Sequence, residues 1–194
     1  MEENTLEFIK SKMINQMRYN KQIYSLNEIL SIVYTQDFSG SKKISITALD
    51  PFLSEFGIFL TTHEITTLLK YIKKDQTTIS VQKFSEIFKI DTPPQLISKC
   101  TEVFEKLSQG NNSIVIEELW KKCNLRKHPL VTIFGRKPDY AKKKLEEAIN
   151  FSAVGGNSIN LKEFIELHKN IYALLPPDNQ KYFLNLIPEM WGVA

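Results

Sequence analysis

Ser113-Ile114-Val115-Ile116 is the stretch on which the fold turns, because the chain repeats it as Lys43-Ile44-Ser45-Ile46, Thr78-Ile79-Ser80-Val81 and Ser158-Ile159-Asn160-Leu161. Each is a short β-branched piece with isoleucine in second place, too short to stand alone as a sheet. Each follows an amphipathic helix and a polar loop, and each leads into a new helical stripe: Leu49/Phe52/Leu53/Phe56, Phe84/Ile87/Phe88, Leu119/Cys123 and Phe164/Leu167/Ile171. The isoleucines stand 35, 35 and 45 positions apart, the last interval stretched by an insertion holding His128-Pro129 and Gly135-Arg136-Lys137-Pro138. Further stripes run through Leu6, Ile9, Met13 and Met17, through Ile29, Ile32 and Val33, and through Ile65, Leu68, Leu69 and Ile72. Start signals agree with helices. Ser25-Leu26-Asn27-Glu28 and Thr61-Thr62-His63-Glu64 are capping boxes, and Thr92-Pro93-Pro94-Gln95 joins a cap residue to prolines suited to a first turn.

Composition narrows the function classes. The 194 residues are 42% hydrophobic and 24% charged, enough to bury a core. Lys and Arg total 25 against 22 acids, a net charge of +3, and the arginines are only Arg18, Arg126 and Arg136. A nucleic-acid reader concentrates arginine, whose planar fork grips phosphate and guanine, so no nucleic-acid partner is expected. Cys100 and Cys123 have no paired spacing, and the chain opens on Met1-Glu2-Glu3-Asn4 rather than on a basic, then apolar, leader. Lysines interrupt every apolar run well short of the ~18–20 residues of a membrane span. The expectation is a soluble, cytoplasmic protein with reduced thiols and no membrane partner.

A 35-residue helix-loop-helix period also suits TPR arrays, but those have short turns and no β-residue in the middle. The pattern resembles the EF-hand instead, in which a 12-residue loop joins two helices and its eighth residue, usually Ile, pairs with its twin in a neighbouring hand. That resemblance covers about residues 25–172. It implies an all-α protein with four degenerate EF-hands in two paired lobes, residues 1–92 and 93–194, with short β-ladders between loops, an N-terminal helix and a C-terminal helical tail. A narrower likeness is to the calcyphosin-like branch. It rests on Lys127-His128-Pro129-Leu130-Val131 followed by Gly135, on Phe164-Ile165-Glu166-Leu167 after the last loop, and on Tyr182-Phe183 with Trp191 near the end.

The EF-hand pattern supplies calcium with side-chain oxygens at loop positions 1, 3 and 5, a carbonyl at 7, often a water at 9, and a bidentate Glu at 12, with Gly at 6. Counting each isoleucine as position 8, the first loop has Asp37 at position 1 but Ser39 and Ser41 next, Lys42 for the glycine and Ala48 for the glutamate. The second, Lys73-Lys74-Asp75-Gln76-Thr77-Thr78-Ile79, is about one residue short and closes on Lys83. The third also reads one residue short, from Ser108 through Gln109, Gly110, Asn111, Asn112 and Ser113, and ends in Glu118. The fourth, Ser152 to Glu163, has Val154 and Gly156 where chelators belong. No cofactor is expected: calcium is not, and the weak metal candidates are Asp37, Glu118 and Glu163. Glu163 with Asn160 reads as a capping box, since loop position 12 is position N3 of the exiting helix, and capping is the preferred reading for both glutamates.

The remaining chemistry is sparse. His63, His128 and His168 fall in separate elements and suit core or surface roles, Gly155-Gly156 lacks the Lys-Ser/Thr of a phosphate loop, and no catalytic constellation emerges, so the chain is not expected to be an enzyme. Phe52, Phe56, Phe59, Phe84, Phe88, Phe104, Phe151 and Phe164 are expected in the core. The apolar tail either packs on its own lobe or docks into a partner, which makes Tyr182, Phe183, Leu186, Met190 and Trp191 partner-binding candidates. Lys142, Lys143 and Lys144 join them as a cluster suited to an acidic protein surface such as the tubulin lattice. The resemblance implies a calcium-independent structural or interaction module of ciliary axonemes, on doublet microtubules. The alternative is a weak or partner-dependent calcium sensor acting through Glu118 and Glu163.

Overall fold

The computed structural model describes residues 2–19, 43–72, 78–80, 92–153 and 156–194. The chain divides into two compact units, Met1–Ile90 and Asp91–Ala194, and the division falls in the Asp91-Thr92-Pro93-Pro94 segment. The described residues are mostly helical, with two small antiparallel ladders.

In the first unit, helix α1 (Glu2–Tyr19) buries Leu6, Ile9, Met13 and Met17, the stripe its spacing predicts. After strand β1 (Lys43–Ser45), helix α2 (Ile46–Glu55) ends in a Schellman turn: Ile58 N–H bonds to Leu53 O at 2.9 Å and Gly57 N–H to Ser54 O at 2.9 Å, with Gly57 at φ 68°. Leu53 and Ile58, the apolar pair that accompanies such a turn, are both fully buried. Phe59 corrects an expectation. Its side chain is 61% exposed rather than in the core, because Ile58 has taken the inward position and the next residue of extended chain faces the other way. Gln16 of α1 holds the Phe59 backbone by both amide atoms, at 3.1 and 3.2 Å.

Helix α3 (Thr62–Ile72) starts on the Thr61/Glu64 box: Glu64 N–H bonds to Thr61 Oγ1 at 3.2 Å, and Thr61 N–H to Glu64 Oε2 at 2.7 Å. Lys12 of α1 also reaches that carboxylate at 2.7 Å. The ammonium, and then the Thr61 N–H, hold the Glu64 carboxyl below the usual range. Strand β2 (Thr78–Ser80) pairs antiparallel with β1, placing Ile44 opposite Ile79. The Ser25–Glu28 box, the stripe at 29–33, the first loop with Asp37, the second loop at 73–77, and Lys83, Phe84 and Phe88 lie outside the described residues.

The second unit begins with helix α4 (Pro94–Ser108). Pro94 takes its first position and Pro93, not Thr92, its N-cap, with no side-chain acceptor. Strand β3 (Ser113–Val115) leads into α5 (Ile116–Lys122), a 3₁₀ turn (Leu125–Lys127), α6 (Pro129–Thr132) and α7 (Pro138–Ser152). Strand β4 (Ser158–Asn160) pairs antiparallel with β3 and puts Ile114 opposite Ile159, both buried. Helix α8 (Leu161–Leu174) packs on α4 and α7, and α9 (Pro177–Met190) packs on α4 and the 3₁₀ turn. One core joins Leu96, Val103 and Phe104 of α4, Leu145 of α7, and Phe164 and Leu167 of α8 with the isoleucine pair. No described helix is long and apolar enough to cross a membrane.

Candidate functional site

The two loops of the second unit are where metal chemistry would reside if the chain had any. In the third, α4 continues through Leu107, which is buried in the core at the position where the EF-hand pattern needs its first carboxylate. Gln109 (φ 52°) and Gly110 (φ 88°) then turn the chain, and Asn111 donates from Nδ2 to Ser108 O at 2.8 Å. An open pocket of about 360 Å³ lies against this loop, lined among others by Gln109, Asn111, Ser113, Glu118 and Lys122. Its lining holds one carboxylate and one ammonium, a poor offer to a hard dication that wants six to eight oxygens. Glu118 is exposed and accepts from Lys121 Nζ at 2.6 Å, and its helix has Val115 as an N-cap with no side-chain bond.

The fourth loop uses its glutamate differently. Asn160 Oδ1 accepts from Glu163 N–H at 3.0 Å and Asn160 N–H donates to Glu163 Oε2 at 2.9 Å, a complete capping box on α8. The opposite end of the loop offers Ala153, buried, as the C-cap of α7. Among the described residues no three His, Cys, Asp or Glu side chains gather where they could hold a metal ion. Asp37 lies outside the described residues.

The tail candidates separate. Phe183, Leu186, Met190 and Trp191 are all buried in the second unit, and only Tyr182 is exposed, at 48%. As positions for a partner the four interior ones are therefore corrected: their apolar faces are spent on the unit's own core. Phe164 lies at its centre, 5.7 Å from Trp191 and 4.4 Å from His168 between ring centroids. The end of α9 is further tied by Asn124 N–H to Met190 O at 2.7 Å and by Lys127 to Glu189 at 2.6 Å. Gly192 (φ 63°) follows, where a Cβ would stand 3.0 Å from Lys122 O. Of the lysine cluster, Lys142 and Lys143 are exposed on α7, whereas Lys144 is half-buried and paired with Glu147.

Reading along the chain does not bring together the buried polar cluster at the tail. Trp191 donates its indole N–H to His168 Nε2 at 2.8 Å, and His168 Nδ1 lies 2.7 Å from Phe164 O. His128 caps α6 by accepting Leu130 N–H at Nδ1, 3.1 Å. Its position before Pro129 is a cap signal visible in sequence, but nothing local joins it to His168. Burial lowers both imidazoles, His168 to about 4 and His128 to about 3, the latter also disfavoured by His168. Burial pushes the Cys100 and Cys123 thiols up to about 12, leaving both without thiolate at neutral pH.

A comparison with known proteins finds no family model that matches the chain and no curated protein similar to it in sequence.

Proposed function

We propose that the chain is a four-hand, calcium-independent EF-hand protein of the calcyphosin-like kind, acting without catalysis as a structural or interaction module on doublet microtubules of ciliary axonemes. The observation that carries the reading is the Asn160/Glu163 box. The glutamate whose two oxygens a calcium ion would need is engaged with its own helix start, while the matching Glu118 faces Lys121. The antiparallel meeting of Ile44 with Ile79 and of Ile114 with Ile159 supports the paired-hand frame. Exposed Lys142 and Lys143, near Arg136 and Lys137 at the start of α7, support an acidic protein surface as the partner. The axonemal location rests on the likeness of the Lys127–Val131 and Phe164–Leu167 segments.

Calorimetry at millimolar calcium tests the first half. The expected result is no saturable heat. A saturable heat that disappears in Glu163→Gln, a substitution that keeps the capping geometry, would replace this reading with the weak sensor acting through Glu118 and Glu163. Sedimentation with microtubules tests the second: a tagged copy that stays in the supernatant and diffuse in the cell overturns the microtubule partner.

A further inference from the structure

The hydrogen bonds of the two interior imidazoles decide where their protons sit. Phe164 O can only accept and the Trp191 indole N–H can only donate, so His168 between them is neutral with its proton on Nδ1. A second proton on Nε2 would set two N–H groups head to head in the core. His128 has the complementary form. Its Nδ1 accepts from the Leu130 backbone, so the neutral ring carries its proton on Nε2, a buried atom with no hydrogen-bond partner. Charge on either ring therefore has nowhere to be solvated, and His168 further disfavours charge on His128.

We propose that His168 is a proton-operated latch on the C-terminal helix: protonation at Nε2 removes the acceptor of Trp191 and releases α9 from its seat on α4 and the 3₁₀ turn. Of the polar bonds that hold the helix end, which include Asn124 N–H to Met190 O and the Lys127–Glu189 pair, the Trp191–His168 bond is the one that exists only for a neutral imidazole. Release would uncover the Phe164 ring, against which Trp191 rests at 5.7 Å between centroids.

Among the described residues, the carboxylates of the surrounding elements are paired elsewhere or exposed. Glu102 of α4 pairs with Lys99 and Lys106, and Glu105 is exposed. Glu146 and Glu147 of α7 pair with Lys142 and Lys144. Glu166 of α8 pairs with Lys169, and Glu189 of α9 with Lys127, while Asp178 and Lys181 are exposed. Glu163 of α8 is engaged with Asn160 at the helix start, Tyr182 of α9 is exposed, and the region also holds the Cys100 and Cys123 thiols and Tyr172, whose ring lies 6.3 Å from that of Phe183. The sign follows from burial. A histidine held at about 4 when latched and at 6.5 when free favours the latched state fully above pH 6.5, and loses that preference as pH falls from 6.5 toward 4. By pH 5.0 protonation of His168 moves the balance toward release about 20-fold relative to neutral pH.

Amide hydrogen exchange at pH 7.5 and 5.0, corrected for the intrinsic pH dependence of exchange, tests the latch together with ¹⁵N-histidine NMR on the full chain. Expected are an Nδ1–H tautomer for His168, its titration well below 6.5, and at least a tenfold loss of protection in α9 at pH 5.0 that exceeds the loss in α4 and α7. His168→Gln, uncharged throughout, should remove most of that pH dependence. A pH-independent α9, an equal loss across α4, α7 and α9, or the same pH dependence in His168→Gln overturns the proposal. Because that substitution alters the core, the unaltered chain also decides alone: His168 titrating near 6.5 with α9 still protected overturns it.

Discussion

The third and fourth loops share a register and part company one residue later. With Ile114 opposite Ile159, Val115 and Asn160 both become N-caps, and Glu118 and Glu163 both stand three residues on. Asn160 accepts the Glu163 N–H, Glu163 answers, and α8 runs for 14 residues; Val115 offers no acceptor, Glu118 turns to Lys121, and α5 stops after 7. A glutamate at this place is thus structural only when its N-cap can reciprocate. Otherwise it is a surface charge, worth little to the fold.

Substitutions can break or sharpen that contrast. Trp191→Ala removes the ring that backs Phe164 behind the fourth loop and opens a cavity, so it should cost about 3–5 kcal/mol in chemical denaturation of the second unit. Asn160→Ala leaves the core alone and breaks the box, at a cost of about 1 kcal/mol by the same measurement. Val115→Asn is the reverse experiment. Val115 is 52% exposed with φ −65° and ψ 133°, so asparagine there loses little burial and supplies the missing acceptor above Glu118; a gain of about 0.5–1 kcal/mol is expected, and it should vanish when Glu118 is also replaced by Ala. Glu118→Gln in the unaltered chain should leave the denaturation midpoint where it was, since it loses only an exposed pair with Lys121.

What could be read from sequence follows the range of the forces involved. The Thr61/Glu64 and Asn160/Glu163 boxes were legible because both partners lie within four residues, and the four isoleucines announced their ladders because a β-branched residue at a fixed place in a loop has few other uses. Phe59 departs from its stripe because the Gly57 turn breaks the periodicity and Ile58 faces inward in its place. The N-cap falls on Pro93 rather than Thr92 because two consecutive prolines move the helix start by one residue. The apolar tail was ambiguous, since periodicity shows that α9 has an apolar face and is silent on what covers it. The His168–Trp191 bond joins residues 23 positions apart across two helices, a distance over which no local pattern operates.

The placement of Trp191 has a photophysical consequence. The chain's two tryptophans, Trp120 and Trp191, both belong to the second unit, so ultraviolet excitation at the red edge of aromatic absorption sees that unit and leaves the first one dark. Trp191 is fully enclosed and hydrogen-bonded to an imidazole, whereas Trp120 is half-buried, so their emission should separate into a blue and a redder component. The molecule therefore carries its own colour-coded report of one half, against which circular dichroism, dominated by helices from both halves, can be set.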